Sequence, residues 1–119
     1  MGKVYVVKNV YDATIERLEK IFSENFAVYF SFSGGKDSSV MLQLANLVAK
    51  KKNKKFDVLF IDLEGNYKYT IEHVKELRNL SQIDEFYWVC LPLVLRNSVS
   101  QLSTHWLCWD KRQKEFWIR

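Results

Sequence analysis

The stretch "SFSGGKDSSV", Ser31 to Val40, follows the apolar run "FAVYF" (Phe26–Phe30) and leads straight into a helical pattern. From Ser33 to Ser39 it holds two of the chain's four glycines, a lysine, an aspartate and hydroxyls at Ser33, Ser38 and Ser39. Between a buried strand and a helix, Gly34 and Gly35 permit positive φ and leave no Cβ, so backbone N–H groups can gather around an anion. The helix start adds unpaired N–H donors and the positive end of a dipole. Lys36 adds a full charge, and the three serines add short donors. A carboxylate beside a phosphate is repulsive unless a cation lies between them, so Asp37 points to Mg²⁺ on a nucleotide's phosphates. The plainer alternative is an acid favoured by the helix dipole, worth a few tenths to about 1 kcal/mol.

Working outward, "DATIERLEKIF" (Asp12–Phe22) places Ile15, Leu18, Ile21 and Phe22 on one face behind Asp12 as N-cap, which predicts an amphipathic helix. "FAVYFSF" (Phe26–Phe32) predicts a strand buried on both faces. From Ser38 to Lys50 the polar residues Gln43, Asn46 and Lys50 form one narrow stripe on an otherwise apolar, largely buried helix. "FDVLFIDL" (Phe56–Leu63) reads as a second strand, "TIEHVKELRNL" (Thr70–Leu80) as a helix, and "EFYWVCLPL" (Glu85–Leu93) as a third strand stopped by Pro92. Beyond it, "LRNSVSQL" (Leu95–Leu102) suggests a short helix, and Trp106, Trp109, Phe116 and Trp117 suggest core or interface. The strands begin about 30 residues apart, the length of a right-handed βαβ unit. The expected fold class is therefore α/β: a three-layer αβα, Rossmann-like arrangement with a parallel, twisted sheet. In such sheets ligands bind beyond the carboxyl ends of the strands, where "SGGKDSS" and "DLEGN" (Asp62–Asn66) both fall.

At 119 residues, with 48% hydrophobic and 27% charged, the chain suits one folded domain over residues 1–119. Two cysteines, Cys90 and Cys108, exclude a disulfide scaffold and match no paired metal motif, so they read as small packed hydrophobes. The net charge of +4 owes much to "KKKNKK" (Lys50–Lys55). This run reads first as a solvated helix end and second as a nucleic-acid contact. No apolar run approaches the roughly 18 residues of a membrane span, and "MGKVYVVKNVYD" lacks a signal-peptide pattern, so the expectation is a cytoplasmic protein without a membrane partner. His73 lies among helix charges and His105 beside tryptophans, so both read as structural, with no His–Ser pair in view.

Two phosphate motifs fail here. A Walker A loop requires G-x-x-x-x-G-K-[ST], but Asp37 follows Lys36 and Phe30 stands where the first glycine belongs; G-x-G-x-x-G does not occur at all. The remaining string, "SGGKDS" (Ser33–Ser38), resembles the PP-loop of the adenine nucleotide α-hydrolase superfamily, which includes N-type ATP pyrophosphatases, the ATP sulfurylase small subunit and phosphoadenosine-phosphosulfate (PAPS) reductases. "SFSGGKDSSVMLQLA" and "VLFIDLEGNYKYTIEHV" are similar to the first two βα units of PAPS reductases and ATP sulfurylases. "NVYDATIERLEKIF" and "YWVCLPLVLRNSVSQLSTHWLCWD" look like the PAPS-reductase-like proteins of phages and prophages, some linked to transcriptional co-activation. Those relatives are longer, and the chain resembles their N-terminal nucleotide-binding portion.

The resemblance implies an adenine nucleotide as ligand, either ATP with Mg²⁺ or a sulfated nucleotide, PAPS or adenylyl sulfate. It implies that Ser33, Gly34, Gly35, Lys36, Asp37, Ser38 and Ser39 hold the pyrophosphate or phosphosulfate, with Lys36 and Asp37 as the catalytic pair and Asp37 on the metal. Asp62 and Glu64 would lie near the ribose or metal, the backbone around Phe30 and Leu63 would flank adenine, and Arg96 would reach a distal phosphate or sulfate or else form a surface salt bridge. The implied chemistry is cleavage between the α- and β-phosphates, adenylyl transfer or PAPS-dependent transfer. The family's C-terminal E-C-G-x-H-type cysteine and its paired iron–sulfur cysteines do not occur, which argues against reductase chemistry by this chain alone and against an iron–sulfur cluster. The competing reading is a non-catalytic nucleotide- or nucleic-acid-binding regulatory module. Self-association through the aromatic C-terminal segment is a further expectation.

Overall fold

In the computed structural model, which describes residues 2–119 and leaves Met1 outside the described residues, the first helix starts one turn earlier than expected. Helix α1 (Val10–Ser23) is capped by Asn9, whose Oδ1 accepts from the Asp12 N–H at 2.8 Å while its Nδ2 donates to the Asp12 carboxylate at 2.8 Å. Asp12 is thus the third helical residue in a reciprocal cap, and Asn9 takes the role expected of Asp12.

Strands β1 (Tyr29–Phe32), β2 (Phe56–Asp62) and β3 (Ile83–Cys90) pair in parallel in the order β1–β2–β3, and helices α2 (Lys36–Lys51) and α3 (Lys68–Leu77) make the two crossovers. This is the expected α/β class, a Rossmann-like parallel sheet flanked by helices. Strand β2 has a neighbour on each side and buries Phe56, Val58, Phe60 and Asp62. Against them pack Leu42, Ala45 and Val48 of α2, Ile71, Val74 and Leu77 of α3, and Leu18 and Phe22 of α1. Fully burying a Phe, Leu or Val side chain in such a core stabilises the fold by about 1.5–3 kcal/mol.

The rings of Phe22 and Phe56 lie 5.8 Å apart and those of Phe30 and Phe56 5.1 Å apart, which places α1 on the same sheet face as the rest of this core. The opposite face carries Tyr29, Ile61 and Tyr87, at 70%, 42% and 51% exposure. The first strand is therefore not buried on both faces as its aromatic run suggested. It is an edge strand of four residues whose alternate side chains, Tyr29 and Ser31, face away from the helices.

Helix α2 ends as the lysine run suggested: Lys50 and Lys51 occupy its last turn, beside the negative end of the dipole, and Asn53 turns the chain with φ 51°. After β3 the short helix expected over Leu95–Leu102 does not form. Strands β4 (Val94–Arg96) and β5 (His105–Leu107) pair antiparallel instead. Leu95, Val99 and Leu102 have helical spacing, but Val99 and Leu102 are fully exposed, so no packing would support such a helix. A 3₁₀ turn (Lys111–Phe116) closes the chain, capped by Asp110. Trp109 is buried and meets Trp117 edge-to-face at 5.4 Å, so these two aromatics pack internally while Phe116 and Ile118 remain exposed. Among the described residues, no helix is long and apolar enough to cross a membrane.

Candidate functional site

Two loops leave the carboxyl ends of adjacent strands, residues 33–35 after β1 and residues 63–67 after β2. In the first, Gly34 has φ +77°, and a Cβ there would come within 2.9 Å of the Thr70 and Val74 methyls on α3. Glycine is needed both for the backbone angle and for the close approach to α3. Gly35 is the N-cap of α2 and supplies no side chain, so the N–H groups of Lys36, Asp37 and Ser38 have no helical partner. The side chains of Lys36 and Asp37 are exposed, and neither joins an ion pair among the described residues.

The three hydroxyls do something different from what was expected of them. The Gly35 carbonyl lies 3.0 Å from Ser38 Oγ and 2.7 Å from Ser39 Oγ, and Ser33 Oγ lies 2.9 Å from Ser38 Oγ. Each hydroxyl has one proton. Ser38 and Ser39 therefore donate to Gly35, and Ser33 donates to Ser38. Ser39, 6% exposed, also meets His73 Nε2 at 2.7 Å and accepts its proton. The serines stiffen the loop, and the donors left for an anion are backbone N–H groups and Lys36.

The second loop is closed on itself. Asp62 is 1% exposed, and burying a carboxylate is costly unless its oxygens are bonded. Its Oδ1 accepts from the Glu64 N–H at 2.8 Å and from Arg119 Nη2 at 2.5 Å; its Oδ2 accepts from Trp88 Nε1 at 2.9 Å. The Asp62 carbonyl accepts from Trp109 Nε1 at 2.6 Å, and Glu64 Oε2 accepts from the Trp109 N–H at 2.6 Å. Glu64 and Trp109 both adopt left-handed backbone, φ 64° and 51°, each a cost of order 1–3 kcal/mol that these bonds offset. Among the described residues no hydrogen bond joins Asp62 or Glu64 to residues 33–39.

Residues 27–94, from just before β1 to the start of β4, match the family model of the phosphoadenosine phosphosulfate reductase domain. The chain belongs to that family. It is 42% identical over 119 residues to the uncharacterized protein YbdN of Escherichia coli (strain K12), covering 98% of this chain and 29% of that one. It is 46% identical over 54 residues to an uncharacterized protein of Methanocaldococcus jannaschii, covering 45% of this chain and 12% of the other. The chain thus spans less than a third of the length of these curated relatives. No solved structure matches it. Membership in the PAPS reductase domain family assigns a nucleotide-related function at the level of the family.

Within this PAPS reductase domain the other sequence-derived candidates are spread out. The Phe30 ring is held in the core aromatic cluster, which leaves only its backbone for a ligand. Leu63 is half-buried, and its carbonyl accepts from the Gly65 N–H at 2.7 Å. Arg96 is exposed on β4 and shares a cleft of about 330 Å³ with Gly65 and Trp106, which brings it to the loop after β2. A cleft of about 920 Å³ runs along the hairpin residues 96–105 and includes nothing from residues 33–39. Cys108 is fully buried as expected, whereas Cys90 is exposed, and burial of its sulfur followed by the nearby Asp62 charge pushes its thiol pKa up.

Sequence reasoning missed His73 and Arg119. His73 could have been found: Thr70, His73, Val74 and Leu77 share a flank of α3, and that flank meets the glycine loop. Arg119 carried no local signal.

Proposed function

We propose that residues 33–39 bind the phosphates of an adenine nucleotide: ATP, PAPS or adenylyl sulfate. The observation that carries this reading is the uncapped start of α2. Three backbone N–H groups and the exposed Lys36 are left without partners beyond a glycine turn that is fixed against α3. That combination suits an anion in both charge and geometry. Asp37 is the loop's one carboxylate, and among the described residues no cluster of three His, Cys, Asp or Glu could hold a metal unaided. The donor set fits Mg²⁺, which takes one or two carboxylates and completes its shell with water and substrate phosphates. When bound with ATP, the ion would help neutralise charge on the phosphates.

In this reading Lys36 and the α2 N–H groups receive charge as it builds on the pyrophosphate that leaves ATP, or on the nucleotide phosphate that leaves when the sulfur group of PAPS is transferred. The backbone at Phe30 and Leu63 flanks the adenine, and Arg96 meets a distal phosphate or sulfate across the Gly65 cleft. Asp62 and Glu64 act by fixing the rim of the site, because their carboxylates are already bonded to Arg119, Trp88 and Trp109. The chemistry proposed for a longer protein built on this domain is adenylyl or PAPS-dependent transfer. Calorimetry with ATP, ATP–Mg²⁺ and PAPS tests the reading. Binding of at least one, weakened by Asp37→Ala in the ATP–Mg²⁺ arm, is the expected result. No heat with any of them, or an Asp37→Ala variant that behaves like the parent with ATP–Mg²⁺ bound, overturns it.

A further inference from the structure

We infer that the chain carries a second ligand site, apart from the glycine loop, that takes a small planar aromatic anion. A pocket of about 430 Å³ opens between α3, the end of β3 and the C-terminal segment, walled by Trp88, Trp109 and Trp117 and rimmed by Lys75, Arg78 and Arg119, with Cys90 and the Arg119-paired Asp62 also in its lining. Its volume falls in the roughly 300–1,000 Å³ range of small-molecule sites.

The walls are fixed and apolar. Each indole N–H is already bonded: Trp88 to the Asp62 carboxylate, Trp109 to the Asp62 carbonyl, and Trp117 to the Asp110 carbonyl at 3.1 Å. The polar edges are satisfied, and with Arg119 over the Trp109 ring at 5.7 Å and Lys114 over the Trp117 ring at 5.8 Å, the remaining indole surface is left for an aromatic body. The rim carries uncompensated charge. Arg119 is paired with Asp62, whereas Lys75 and Arg78 join no ion pair among the described residues, so the mouth offers two positive charges to a phosphate, sulfate or carboxylate.

The pocket lies farther along α3 than the glycine loop does. Thr70, His73 and Val74 meet Gly34 and Ser39, while Lys75 and Arg78, at the carboxyl end of the helix, reach the pocket. No residue of the loop lines it.

The test uses the full chain, isotope-labelled so that the indole N–H signals of its four tryptophans are resolved by NMR. It is titrated with α-naphthyl phosphate, with α-naphthol (the ring without the charge) and with inorganic phosphate (the charge without the ring). The expected result is saturable shifts at Trp88, Trp109 and Trp117 with Trp106 unmoved, and an affinity for α-naphthyl phosphate about ten-fold or more above either fragment. Replacing the exposed pair by Lys75→Ala with Arg78→Ala weakens it about ten-fold, the loss expected of a charge-assisted hydrogen bond. Lys36→Ala leaves it unchanged. The inference is overturned if α-naphthyl phosphate does not saturate, if it moves Trp106 alone, if the double variant binds like the parent, or if Lys36→Ala weakens binding as much as the double variant does.

Discussion

The loops after β1 and β2 leave neighbouring strands at the same edge of one sheet, and they spend their polar groups in opposite ways. The first uses its serines on its own backbone and leaves Lys36, Asp37 and three N–H groups exposed. The second buries two carboxylates and bonds each to the C-terminal segment. A buried carboxylate already bonded to a guanidinium or to N–H donors is poorly placed to take a ligand's cation, whereas an exposed one at an open helix start is free to do so. On the proposed reading the difference gives Asp37 a binding role and Asp62 a structural one, although the sequence presents both as acids at strand ends.

The largest expected effect that would break this contrast is on Asp62. Asp62→Ala leaves the Trp88 indole, the Glu64 N–H and the Arg119 guanidinium without their acceptor, and should lower stability by about 3–5 kcal/mol in urea unfolding. A loss below about 1 kcal/mol would mean that the clamp is incidental. Next comes Gly34→Ala, which forces a Cβ against Thr70 and Val74 at positive φ; about 2–3 kcal/mol of destabilisation is expected in the same assay, together with weaker nucleotide binding. Lys36→Ala should weaken ATP–Mg²⁺ binding by about 1.5–2 kcal/mol while moving stability by no more than about 0.5 kcal/mol, because the side chain is exposed and unpaired. Such a split, affinity without stability at Lys36 and stability first at Asp62, is what the contrast requires.

Smaller still, Ser39→Ala removes the bonds to Gly35 and His73 and should cost about 1 kcal/mol, visible as faster amide exchange at the start of α2. Cys90 gives the last test. Its raised thiol pKa means less thiolate near neutrality, so iodoacetamide should modify it more slowly than free cysteine at about pH 8, with the gap closing as pH rises.

The open loop was legible in the sequence because everything it needs is consecutive: a strand, two glycines, a lysine, an aspartate and a helix start within ten residues, Ser31 to Val40. The closed loop was not, because its partners arrive from far along the chain, Trp109 from 45 residues beyond Glu64 and Arg119 from 57 beyond Asp62. No local periodicity records such a pairing. The parallel sheet was read correctly from the βα spacing, but the exposure of β1 was not, since an aromatic run reports apolar character and not which face finds a neighbour. The helix expected at Leu95–Leu102 shows the same limit: spacing without a surface to pack on does not make a helix.

Inorganic pyrophosphate, which has no base or ribose, tests the contrast most directly when the backbone amide signals of the full chain are followed by NMR. Saturable shifts concentrated at Gly34 through Ser39, with Asp62 through Asn66 little moved, are expected. Shifts centred on Asp62 through Asn66, or none at Gly34 through Ser39, would contradict it.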